Sequence, residues 1–101
     1  MIPDHLLQDR YWRGLLHIFM NHNKLKQLLS KPEFVDFEEL TVHVDELIKA
    51  SKSWSPSERF MLTCALHLFN GINTIDIPQA DRLDDKNTEI LREALLLRLA
   101  R

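Results

Sequence analysis

Apolar residues recur at three- and four-residue spacing along most of this chain, the period of helices rather than the alternation of strands. Leu7, Tyr11, Leu15, Ile18 and Phe19, with Trp12 and Leu16 beside them, lay a wide apolar face along a first helix. The spacing starts this helix near Asp4, whose carboxylate can accept the free N–H groups of the opening turn. Asp9 and Arg13, four apart on its outer side, read as an ion pair worth a few tenths of a kcal/mol. Asn21-His22-Asn23 predicts a break, and a short basic helix with Leu25, Leu28 and Leu29 follows and stops before Pro32.

Asp36-Phe37-Glu38-Glu39 predicts the next helix start, with Phe37, Leu40, Val44, Leu47 and Ile48 as its buried face. Ser55-Pro56-Ser57-Glu58 is the sharpest local signal. Ser55 suits the N-cap, Pro56 the first helical position and Glu58 the reciprocal capping contact. Gly71 suits the left-handed position just past the end of that helix. Between these markers the chain is apolar almost all round, interrupted only by Arg59, Thr63 and His67 on one narrow stripe. Such a helix, over about residues 56–70, belongs at the centre of a bundle. Residues 72–77 read as a connection with Ile75 and Ile77 pinned into the core, and Pro78 to Leu83 as one helical turn. A last helix then begins at Asp84 or Asp85. The expected architecture is all-α: a single domain over residues 1–101, a compact array of four to five helices around the 56–70 helix.

Ser53-Trp54-Ser55-Pro56-Ser57-Glu58-Arg59, followed by Ala65-Leu66-His67-Leu68-Phe69-Asn70-Gly71, resembles the C-terminal halves of small helical proteins of Gram-positive bacteria and their phages. The resemblance covers residues 53–71, and its residues are mostly capping and core types. It implies a bacterial origin and carries no assigned function.

Composition narrows the function classes. With 2 glycines in 101 residues the chain cannot build a phosphate-cradling loop or the many tight turns of a β-domain. The most apolar run, Phe60 to Phe69, is half the length of a membrane span and holds Thr63 and His67. One cysteine forbids an internal disulfide, and the opening residues carry no secretory signal pattern, so the expected compartment is cytoplasmic. The net charge of −2 is unevenly spread. Arg10, Arg13, Lys24, Lys26 and Lys31 lie in the first third, whereas residues 33–47 hold Glu33, Asp36, Glu38, Glu39, Asp45 and Glu46 without a lysine or arginine. Acids in the first turn of a helix at Asp36 would account for much of this asymmetry through the helix dipole.

Candidate chemistry is sparse. The histidines at 5, 17, 22, 43 and 67 are scattered, and although Glu39–His43 or Cys64–His67 could share an ion, no matching second pair completes a site. Cys64 lies on the face of Phe60, Met61 and Leu68, which reads as an inert buried thiol rather than a nucleophile with His67 as its base. Trp54 precedes the N-cap, where it could cover the helix end and stack on Arg59. No cofactor, metal or catalytic residue is expected, and the chain does not read as an enzyme. By elimination the leading function is a protein–protein interaction or assembly module, small and regulatory, binding a protein partner or a second copy of itself. Two surfaces are candidates. Arg59, Thr63 and His67 are either the solvent edge of a buried helix or the wall of a groove that takes a carboxylate or phosphate on Arg59. On the last helix Leu91, Leu95 and Leu99 form one stripe while Ile90, Ala94 and Leu97 form another, so one can face the core and the other a partner. The alternative is a nucleic-acid-associated regulator using the basic N-terminal residues, which an acidic chain does not favour.

Overall fold

Helix dominates the computed structural model, which describes residues 2–100. The architecture is all-α. Its α-helices are α1 (Arg10–Asn21), α2 (Asn23–Lys26), α3 (Val44–Ala50), α4 (Pro56–Asn70) and α5 (Asp85–Leu99). Turns of 3₁₀ helix at Asp4–Gln8, Gln27–Ser30, Ser51–Ser53 and Ile77–Arg82 join or extend them. The Cα radius of gyration is 12.6 Å, that of a compact chain of this length.

The first helix does not start at Asp4. The chain makes a 3₁₀ turn, leaves it in extended backbone at Asp9, and restarts as α1 with Asp9 as the cap. Asp9 Oδ1 accepts Tyr11 N–H at 2.9 Å and Trp12 N–H at 3.4 Å. An acid spent on capping is not available for the ion pair expected with Arg13, and the Arg13 guanidinium goes elsewhere. Pro3 supplies no side-chain cap, so the stronger capping residue Asp9, six positions later, sets the start.

A larger departure lies at residues 35–43. The helix expected from Asp36 is a small hairpin instead: β1 (Val35–Asp36) pairs antiparallel with β2 (Thr41–Val42), Val35 opposite Val42. Asp36 does accept N–H groups two and three residues on, from Glu38 at 2.9 Å and Glu39 at 3.0 Å. The same chemistry closes a turn here rather than a helix. Branched Val35, Thr41 and Val42 favour the extended form, and Val35 and Val42 bury their side chains from it. Helix α3 begins eight residues after Asp36, so only Asp45 and Glu46 sit at its N-terminus.

Helix α4 follows its sequence markers closely. Ser55 Oγ accepts Glu58 N–H, Glu58 Oε1 accepts Ser55 N–H at 2.9 Å, and Gly71 takes φ 71° just past the end. The hydrogen bond from Ser55 holds the Glu58 carboxyl below its ordinary range. Phe60, Met61, Leu62, Cys64, Ala65, Leu66 and Leu68 are buried. Helix α1 shares the centre, packing on both α4 and α5 and burying Leu15, Leu16, Ile18 and Phe19 completely. Trp12 joins this core, edge-on to Phe69 with ring centroids 4.9 Å apart. Ile75 packs against the core, but Ile77 is 61% exposed, because the 3₁₀ turn at Ile77–Arg82 carries it outward.

Two arginines fix the last helix. A Cβ on Gly14 would stand 3.2 Å from Arg98 Cβ and 3.4 Å from Leu68 Cβ, so α1 is bare where α4 and α5 meet it. Arg98 Nε donates to Leu68 O of α4 at 2.8 Å, and its guanidinium lies 4.1 Å from the Tyr11 ring centroid. Arg13 donates to the terminal carbonyls of α5, Leu97 O at 2.8 Å and Ala100 O at 3.2 Å. These carbonyls have no acceptor role within their own helices, and a cation there also suits the helix dipole.

Candidate interaction surfaces

The polar stripe on α4 divides. Arg59 and Thr63 stand on the wall shared by two adjoining hollows, while His67 lines neither. Thr63 Oγ1 donates back to Arg59 O at 2.9 Å, so its hydroxyl is partly spent on its own helix. His67 Nδ1 is buried and has no hydrogen-bond partner among the described residues. The larger hollow, about 740 Å³, runs between α4 and residues 74–82 and adds Arg82, Thr74, Asp76 and Gln79. The smaller, about 500 Å³, adds Lys52, Ile48 and Ile72. The two adjoin along Arg59, Thr63 and Thr74 as one trough, with Arg82 lining the larger part and Lys52 the smaller. Asp76 is the one carboxylate among its lining residues. None of the three cations enters an ion pair among the described residues. The sequence stripe pointed at Arg59 and Thr63; Arg82 and Lys52 arrive from connections whose path no helical period encodes.

The leucine stripes of α5 also divide. Leu91 is buried with Ile90 and Ala94 against α1 and α4, and Leu97 is half-buried. Leu95, Leu96 and Leu99 are 38%, 60% and 67% exposed. The outward face is therefore Leu95-Leu96-Leu99, with Leu91 in the core and Leu96 in its place. The stripe Leu91-Leu95-Leu99 drifts around the helix because four-residue steps overrun the 3.6-residue turn.

Three of the basic N-terminal residues are already engaged within the chain. Arg13 is committed to α5, Arg10 lies over Tyr11 at 5.1 Å, and Lys24 lies 3.4 Å from Glu58 and 5.4 Å above the Trp54 ring. Trp54 thus stacks under Lys24, not Arg59. Cys64 is fully buried, and burial pushes its thiol up to about 12, far from a thiolate at neutral pH. His17 Nε2 lies 3.2 Å from Glu93 Oε1. Among the described residues no three His, Cys, Asp or Glu side chains converge as metal ligands, and no helix is long and apolar enough to cross a membrane. Set beside known proteins, the chain matches no family model, no curated protein and no solved structure.

Proposed function

We propose that the protein is a non-catalytic assembly module whose docking face is the exposed apolar end of α5, and that a second copy of the chain covers it. The observation that carries this reading is the trio Leu95, Leu96 and Leu99, held outward on a helix end that Arg13 and Arg98 pin to the body. Rigid anchoring lets such a patch pair without first being ordered. Glu89 and Arg92, earlier on the same helix, pair with each other. A two-fold contact would set these leucines against themselves. Burying one exposed leucine fully contributes about 1.5–3 kcal/mol, and with 38%, 60% and 67% of the three still exposed, two copies together bury the equivalent of about three leucines, a gain of the same order as the cost of association.

Light scattering behind size exclusion, run over a range of concentrations, tests this reading. At 500 mM salt, where charged contacts are screened, a dimer that becomes monomeric on Leu95→Glu or Leu99→Glu, with the melting temperature unchanged, is the expected result. A wild-type chain that stays monomeric at high concentration defeats it.

A further inference from the structure

The acidic segment is left without its simplest explanation. Glu33, Asp36, Glu38 and Glu39 do not lie in the first turn of a helix, so no helix dipole accounts for them. Glu38, Glu39 and Leu40 form instead the exposed tip of the β1–β2 hairpin, and Leu40 is 45% exposed with φ 54°. Left-handed backbone is costly for a leucine, and here it holds an apolar side chain outward beside two carboxylates. The basic trough offers the counterpart: Arg59, Arg82 and Lys52, without ion partners among the described residues, beside exposed Ile48 and Ile72. Within one chain no ion pair links tip and trough among the described residues.

From this charge and apolar complementarity we propose that the trough is the docking site for the hairpin tip of a second copy of the chain. Glu38 and Glu39 meet Arg59 and Arg82, and Leu40 lies against Ile48 and Ile72. Because the contact joins two different surfaces, it is head-to-tail, and successive copies add in a ring or an open file. It uses no residue of α5, so it extends the assembly reading to a second interface without depending on the first. Exposed ion pairs are individually weak and screened by salt, so the contact is salt-sensitive.

The test is sedimentation of the full chain carrying Leu95→Glu and Leu99→Glu, which removes any contribution from α5. At 50 mM salt the mean mass rises with concentration, and at 500 mM salt the association constant falls by roughly tenfold or more. Glu38→Lys/Glu39→Lys and Arg59→Glu/Arg82→Glu each abolish the rise while keeping the helical circular dichroism signal. Mixing these two variants places the reversed tip of one opposite the reversed trough of the other and restores association, the result that generic stickiness does not give. A salt-independent mass, association by either charge variant alone, or a mixture that stays monomeric overturns the proposal. Binding of polyglutamate or of a single-stranded oligonucleotide to the trough, with the mixture still monomeric, also overturns it by giving the trough another occupant. A leucine variant that stays monomeric at 50 mM salt, while the wild-type chain still dimerises at 500 mM salt, overturns this contact and leaves the α5 dimer standing.

Discussion

Leu40 and His22 are two residues whose surroundings disagree with their chemistry. Among the described non-glycine residues Leu40 alone has positive φ. Glycine there removes the clash of Cβ with the following carbonyl, at some cost in unfolded-chain entropy. Leu40→Gly is therefore expected to raise stability by about 0.5–1 kcal/mol in a urea melt. A loss of stability would mean that the leucine side chain packs more than its exposure suggests. The same substitution removes the apolar part of the hairpin tip, so tighter folding and weaker association are expected together. His22 is buried at the junction of α1 and α2, and its Nδ1 has no partner among the described residues. Burial lowers its pKa below the ordinary 6.5, against a smaller upward pull from Glu58. The unfolded chain then binds the proton more readily than the folded one. Stability from the neutral ring is fully present above pH 6.5 and is lost as pH falls towards the lower folded value. Urea midpoints at pH 7.5 and 5.5 should fall on acidification in the wild type and fall less in His22→Gln. Equal drops in both would assign the acid sensitivity to other groups.

Elements held together by one missing side chain are sensitive to its addition. Gly14 sits in α1, where alanine would normally favour the helix by roughly 0.5–1 kcal/mol. Its new methyl would press on Arg98 Cβ and Leu68 Cβ, neither of which is the free end of a side chain. Overpacking of this kind costs about 1–3 kcal/mol, so Gly14→Ala is expected to destabilise on balance. Amide exchange should quicken first in the last two turns of α5, where the arginine contacts would lengthen. Uniform exchange across the chain would show that α5 does not loosen separately. The helix ends that the sequence made legible are those whose signals reinforce one another, as at Ser55-Pro56-Ser57-Glu58 and Gly71. Asp36 misled because an acid accepting N–H groups two and three residues ahead closes a turn as readily as it caps a helix. Only the burial of Val35 and Val42 decides between them, and burial is a property of the whole fold.

For the whole molecule, the all-α class and the buried helix near 56–70 were readable from period and composition, because both follow from local spacing. The trough was half readable. Arg59 and Thr63 share a helix, whereas Arg82 and Lys52 reach them through the path of irregular connections, which local pattern does not specify. The α5 stripe showed the same limit, since spacing named two faces and only the placement of α1 and α4 chose the outward one. The ties between α1 and α5 carry a further consequence, in the order of events during synthesis. Arg13 and its acceptor Leu97 are 84 residues apart in the chain. Helix α1 leaves the ribosome well before α5, the surface that covers one side of it. At roughly 5–20 residues per second, its apolar flank waits several seconds for α5. Closure of α5 onto α1 is thus a late event in the making of this fold, and until it happens the flank of α1 that α5 covers stands open.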